Sequence, residues 1–356
     1  MIHLRLTYLC TPNRLNLLGM TASDYEWQPD ILGKDFQQLV IPLGADPISE
    51  GGEGDIFATL VRYAPADQPT PTSRPAVLFV HGMTDYFFQR HVAQWFHQHG
   101  FSVYALDLRK CGRSHRNNQS WHYISDISRY FEELDRAKSI IEELHPTIFP
   151  IGHSTGGLIL AHWLDGLRQC ETLHPTIPGA ILNSPWLDMM TPATVTRALR
   201  PILTRAARRF PHASFGRSKE GTYGRSLHAS RSGEWDYDIS FKPLTGHLRK
   251  LGWLHAIDTA QSLVHNDAVD CGIPLLMLCS DHSSLRGKFS PRAQVTDTVL
   301  DVEQMKRWAP HLSGYVSVCT IRGAVHDVYL SQKPARLQAL ETSVRWMNRI
   351  LSEHTI

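Results

Sequence analysis

The sequence predicts an α/β fold: a mostly parallel sheet with helices on both faces and an inserted helical cap. From residue 36 onward, short apolar runs alternate with longer helical patterns, the rhythm of strands joined by crossover helices. Several runs are apolar without interruption, as in parallel strands buried on both faces. One long segment, 186–270, breaks this rhythm and offers no convincing core strand.

Taken in order, FQQLVIPL (36–43) and DIFATLVRY (55–63) read as a leading pair of strands. AVLFV (76–80) and FSVYALDL (101–108) read as buried parallel strands, and FFQRHVAQWFHQHG between them as a helix closed by Gly100. Residues 125–144, SDISRYFEELDRAKSIIEEL, place apolar residues at helical spacing with charges on the other face. TIFPI (147–151), GAILNS (179–184), IPLLMLC (273–279) and YVSVCTI (315–321) supply further strands, and PARLQALETSVRWMNRILSE a closing helix. Pro150 removes a ladder donor from a strand expected to be central. The expected division is a core of residues 1–185 and 271–356, with 186–270 inserted as the cap.

A chain of 356 residues with 42% hydrophobic content holds one large domain with an insertion and can bury a sizeable core. Lys+Arg at 36 against Asp+Glu at 34 leaves a formal charge of +2, which offers no basis for nucleic-acid binding. The 20 histidines predict a surface charge that rises in mild acid. Cys10, Cys111, Cys170, Cys271, Cys279 and Cys319 form no C-x-x-C pair, which suggests neither a zinc knuckle nor a dense disulfide framework, and a reducing compartment. The N-terminal MIHLRLTYLCTPNRLNLLGM begins like a signal peptide, but Thr11, Pro12, Asn13 and Arg14 break it and no small-residue cleavage site follows. Nothing later approaches the roughly 18 apolar residues of a membrane span. A soluble, cytoplasmic protein without metal or organic cofactor is expected; its oligomeric state is not legible.

The strongest motif is IFPIGHSTGGLIL, where Gly152, His153, Ser154, Thr155 and Gly156 make G-x-S-x-G between a strand and a helix. Glycines two before and two after Ser154 allow a very tight turn, in which side chains at those places would collide. The turn exposes the Ser154 hydroxyl at the end of the sheet, beside the positive end of the next helix. The plain alternative is a glycine-rich turn with an incidental serine.

Together HGMTDYFFQ (81–89), DLRKCGRS (107–114), GHSTGG (152–157) and GAVHD (323–327) resemble the α/β-hydrolase superfamily. Within it they resemble the monoacylglycerol lipase and lysophospholipase-like branch, also called the serine aminopeptidase S33 group. The resemblance spans residues 76–330, and the inserted segment lies where that branch carries its cap. It implies that His81 and Gly82 belong to the oxyanion loop, and that the backbone N–H groups of Met83 and Thr155 bind the developing oxyanion. His81 reads as structural, and DLRKCGRS, with Lys110 and Cys111 in the middle of the family's usual D-x-R-G-x-G-x-S, as a structural loop tied by Asp107 and Arg109.

Ser154 needs a base. His326 follows the last predicted strand inside RGAVHD, where the superfamily keeps its base; His311 and His282 have no such match. The acid follows the penultimate strand in this superfamily. Asp281 lies nearest that strand, but TDTVLDVEQMKRWAP fits the family's phrase with Asp297 at the acid, and Asp301 reads as a helix N-cap. Asp297 is preferred and Asp281 and Asp301 stay open; the preference requires residues 280–296 to loop out and return Asp297 beneath His326.

The resemblance implies an ester hydrolase working through an acyl-enzyme on Ser154, with a small-molecule ester or lipid as substrate. An S33-type aminopeptidase, an acyltransferase with the same triad, and a non-catalytic binding module on the same fold are the competing readings. Phe210, Phe215, Tyr223, Trp235, Tyr237 and Trp253 could line a channel or simply pack the cap. Arg197, Arg200, Arg205, Arg208 and Arg209 make a basic run suited to weak membrane-surface contact or to a solvated helix face.

Overall fold

A computed structural model describes residues 25–66, 74–171, 176–190, 193–216, 220–285 and 289–354, the side chains of 193, 197 and 354 excepted. The N-terminal stretch with Cys10, residues 217–219 of the cap segment and residues 286–288 of the loop before Asp297 lie outside the described residues.

The leading strands are β1 (Gln28–Asp30), β2 (Gly33–Ala45) and β3 (Asp55–Tyr63). Then follow β4 (Ala76–Val80), α1 (Arg90–Gln98), β5 (Ser102–Asp107), α2 (Phe131–Glu142), β6 (Ile148–His153), α3 (Thr155–Gln169) and β7 (Ala180–Asn183). The inserted segment holds α4 (Ala193–Arg209), β8 (Ser214–Phe215), α5 (Thr222–Leu227), β9 (Arg249–Lys250) and α6 (Leu251–His265). The chain returns to the sheet with β10 (Leu275–Ser280), α7 (Val302–Trp308), β11 (Val316–Ile321) and α8 (Lys333–His354). The main sheet runs β1-β2-β3-β5-β4-β6-β7-β10-β11. From β5 to β11 all neighbours are parallel, while β1, β2 and β3 join antiparallel. β8 and β9 pair only with each other, outside this sheet.

Side-chain alternation explains why the sheet is covered twice. On β4, Ala76, Leu78 and Val80 enter one core cluster and Val77 the other; on β10, Leu275 and Met277 oppose Leu276 and Leu278. The first cluster takes Leu134 of α2, Trp163 of α3 and Ile257 of α6, and the second takes Phe96 of α1 and Met347 of α8. A strand that feeds both faces must be apolar at every position, and β5, β6, β7 and β10 are buried throughout. Pro150 is accommodated because β6 pairs with β7 only from Ile151 onward. β1 was not expected: it is short and polar, and Asp30 holds it in place through Arg113 (2.6 Å).

Some of the histidines lie inside the fold rather than on a titrating surface. His162 is buried and donates from Nε2 to the Ala260 carbonyl (3.0 Å), and burial pulls its pKa down to about 4. Burial likewise lowers His153 to about 4 and His122 to about 3. In the folded state these rings stay neutral in mild acid, because an imidazolium there would lose its water.

Candidate active site

β6 ends at His153 and α3 begins at Thr155, so Ser154 alone makes the turn, at φ 54° and ψ −117°. A non-glycine residue there is strained, and the surroundings hold it. The Ser154 N–H donates to the Asn183 carbonyl (2.9 Å), and the Ser154 carbonyl accepts from Trp186 N–H (3.0 Å). A Cβ on Gly152 would lie 2.7 Å from the Gly156 carbonyl oxygen, and one on Gly156 would collide with the Val80 and His81 carbonyls. Both glycines are needed because backbone crosses within touching distance of them.

Ser154 donates its hydroxyl to His326 Nε2 (3.0 Å), and His326 Nδ1–H donates to Asp297 Oδ2 (2.8 Å). The carboxylate sets the tautomer, leaving Nε2 with a lone pair toward the serine. Asp297 is fully buried, and its Oδ1 accepts from the N–H groups of Val299 (2.7 Å) and Leu300 (2.9 Å). Those bonds fix the carboxylate and meet its second oxygen's needs.

The loop from β10 to α7 delivers Asp297 by closing its own neck. Asp297 N–H donates to the His282 carbonyl (3.1 Å), and its carbonyl accepts from Ser284 N–H (2.7 Å). Ser283 Oγ donates to the Leu300 carbonyl (2.9 Å) and accepts from Val302 N–H (2.9 Å). Asp281 and Asp301 point to other work. Asp281 accepts from Gly323 N–H (3.1 Å) and pairs with His282 (3.1 Å), while Asp301 caps α7 through Glu303 N–H (3.0 Å).

His81 joins the loop after β4 to the end of β5: Nδ1–H donates to the Gly82 carbonyl (2.7 Å) and Nε2 accepts from Leu108 N–H (3.0 Å). Gly82 lies against Ser154, since a Cβ there would be 2.9 Å from Ser154 Cβ. Met83 follows on this loop, and Thr155 is the first residue of α3, whose N–H has no helical partner. The His153 ring lies 4.8 Å from the His326 ring, tilted by 58°. In DLRKCGRS, Asp107 binds Phe87 N–H and the Arg113 guanidinium, and Arg109 pairs with Glu133, as a structural loop would.

Several supporting residues escaped the sequence reading. Asn183 at the end of β7 donates to Asp327 Oδ1 (2.7 Å) and accepts from Val328 N–H (3.2 Å), tying the His326 loop to the sheet. Ser280 donates to the Ala324 carbonyl (2.7 Å) from the end of β10. Their signal was a polar residue closing an apolar run: GAILN and IPLLMLCS. Beside His153 lies a cavity of ≈ 20 Å³ lined by Asp85, Gln89, Asn183 and Asp327 together with the apolar Phe79, Phe87, Val92 and Ile151, large enough for a water molecule. Among the described residues, no cluster of His, Cys, Asp and Glu is arranged to hold a metal ion, and no helix is long and apolar enough to cross a membrane.

Residues 71–329 match the family model of serine aminopeptidase, S33. The chain belongs to that family. The S33 protein has the α/β-hydrolase fold. A stretch of 95 residues is 35% identical to the monoacylglycerol lipase of Mycolicibacterium smegmatis, covering 26% of this chain and 33% of that protein. Another of 125 residues is 26% identical to phospholipase YtpA of Bacillus subtilis, covering 35% and 44%. Each match spans less than half of the curated relative's length. A monoglyceride lipase of Saccharomyces cerevisiae, solved as a soluble variant with a substrate analog, superposes with TM-score 0.57 at 13% identity, over 92% of the S33 chain and 94% of its own. A thermostable carboxyl esterase of Bacillus coagulans gives 0.58 at 16% identity, over 89% and 99%. At such identities these likenesses speak to the fold alone.

Proposed function

We propose that this S33 protein is a serine hydrolase that cleaves carboxylic esters of small acyl or lipid-like type, such as monoacylglycerols or lysophospholipids. One observation carries the reading: the continuous relay from Ser154 Oγ through His326 to the buried Asp297 carboxylate, at 3.0 and 2.8 Å. His326 takes the serine proton as Oγ attacks the ester carbonyl, and Asp297 stabilises the imidazolium that forms. The N–H groups of Met83 and Thr155 receive the oxyanion, fixed in place before the reaction. His326 then protonates the leaving alcohol, and water hydrolyses the acyl-enzyme by the same route.

In this reading segment 186–270 is the cap and the rest of the chain the core. α6 also packs into the main core cluster, so the cover proper lies before it. On α4 the exposed Val195, Leu199 and Ile202 form an apolar stripe beside the exposed Arg205, Arg208 and Arg209, a pattern suited to weak contact with an anionic lipid surface. Arg200 is instead paired with Asp258 of α6 (2.7 Å). An aminopeptidase would need acidic groups near the cap to hold the substrate ammonium, but the first half of the cap is basic, and Asp85 after β4 is already paired with Lys242 (2.6 Å).

The test is labelling by a fluorophosphonate probe together with turnover of p-nitrophenyl butyrate. Ser154→Ala should abolish labelling and lower turnover by about 10⁴-fold or more. Retained turnover in a folded Ser154→Ala protein would sink the assignment.

A further inference from the structure

Thr84, Asp85 and Tyr86 follow directly on Met83, and each is bonded to the inserted segment. His247 N–H donates to Thr84 Oγ1 (3.3 Å), the Lys242 ammonium donates to Asp85 Oδ1 (2.6 Å), and Asp238 N–H donates to Tyr86 Oη (2.7 Å). The middle contact is between charged groups, with side chains only 8% and 4% exposed. Asp85 Oδ1 also accepts from Tyr86 N–H (2.9 Å), so the ion pair grips the loop's backbone as well as its side chain. The Lys242 ammonium lies over the rings of Phe88 (5.2 Å), Tyr223 (5.9 Å) and Tyr237 (5.7 Å). Tyr223 reaches the other catalytic loop: its hydroxyl accepts from Asp327 N–H (3.1 Å), and its ring stands edge-on to His326 at 5.6 Å.

This loop needs holding. Thr84 sits at φ 56°, an unfavourable conformation for a β-branched residue. Such a conformation persists only where its surroundings over-determine it.

Resting on the ester-hydrolase reading above, we propose that Lys242 is a positioning residue for the oxyanion donor: through its buried pair with Asp85 it holds the turn at residues 82–86 so that the Met83 N–H faces the carbonyl attacked by Ser154. The cover of the site thereby completes the catalytic machinery. Without the ammonium, Asp85 is a buried carboxylate lacking its counter-charge, and it recovers by taking a proton or admitting water. Either change releases Thr84 from its strained conformation and turns the Met83 N–H away. An oxyanion donor acts on the tetrahedral oxygen rather than on the bound ester, so the loss falls on kcat and spares KM.

The experiment compares wild type, Lys242→Met and Lys242→Arg with p-nitrophenyl butyrate, counting active sites by fluorophosphonate titration. It also measures inhibition by a trifluoromethyl ketone, whose adduct with Ser154 carries an oxyanion. For Lys242→Met we expect kcat per active site to fall by about 10²-fold with KM within about threefold, and ketone affinity to fall in proportion. Lys242→Arg should recover kcat to within about tenfold of wild type, since it restores the charge. Should Lys242→Met not fold, Lys242→Gln, which keeps a donor without the charge, must show the same split. A folded Lys242→Met or Lys242→Gln protein whose kcat per active site stays within about threefold of wild type overturns the positioning role alone. A wild-type protein without Ser154-dependent turnover overturns the ester-hydrolase reading on which it rests.

Discussion

The corner that holds Ser154, His326 and Asp297 and the inserted segment proposed as its cover are built by different means. In the corner, strand ends do the positioning: β6 presents Ser154, β7 braces it with the Asn183 carbonyl, and the loops after β10 and β11 bring in Asp297 and His326. The side-chain polar atoms of these three residues are met by one another or by backbone N–H groups. The cover before α6 adds no strand to the main sheet and reaches the site through side chains, above all Lys242 and Tyr223. A corner pinned by backbone should fail abruptly when one atom changes. A cover pinned by a few side chains should fail by degrees.

The sharpest break of that contrast is Asp297→Asn. The amide would still fit, but it favours the wrong imidazole tautomer, and kcat/KM should fall by about 10⁴-fold. Asp281→Asn should stay within about twofold, because an amide oxygen still accepts from Gly323 N–H. Steady-state kinetics on an ester checks both, and the opposite pattern would return the acid's role to Asp281.

Next in size is Gly156→Ala. Its Cβ meets the carbonyl oxygens of Val80 and His81, which are backbone and cannot swing aside. Overpacking of this kind should cost about 3 kcal/mol in urea unfolding. Gly314→Ala, with nothing within 4 Å, should stay within about 0.5 kcal/mol.

Acid tests the interior as a whole. The folded pKa of His162, about 4, lies below the ordinary imidazole value of 6.5. Below pH 6.5 the unfolded chain therefore binds the proton first, and stability falls as the pH drops from there toward 4. At full titration this one group costs about 3 kcal/mol. His162→Gln keeps a donor for the Ala260 carbonyl and should flatten the loss of thermal stability between pH 6.5 and 4. An unchanged pH profile would remove His162 from the explanation.

The smallest effect belongs to the outer face of the cover. Replacing Leu199 and Ile202 by serine should lower co-sedimentation with phosphatidylglycerol vesicles several-fold, with ester hydrolysis in solution unchanged. If the unaltered protein does not sediment with such vesicles, α4 presents no membrane surface.

Much of this was legible in the chain, for local reasons. The strands at 55–63 and 76–80 were readable to the residue because their apolar runs stop where their backbone leaves the sheet. The turn at Ser154 was readable because two glycines at fixed spacing have few other uses. The partners of Asn183 lie 144 residues away and that of Lys242 lies 157 away in the chain, and no local pattern announces such contacts. The histidines misled because composition counts rings without saying which are buried.

The sequence by itself determined the alternation of strand and helix, the tight turn at Ser154 and the candidates for base and acid, since each depends on neighbours a few residues apart. Only the tertiary structure decided which aspartate meets His326. Asp281 is closer to β10 along the chain, yet the neck between His282, Ser284 and Asp297 carries the later residue back to the imidazole. It also decided that a lysine of the inserted segment should stand buried against Asp85. Those outcomes rest on distances through space, which hydrogen bonds and buried charge fix and which spacing along a chain does not encode.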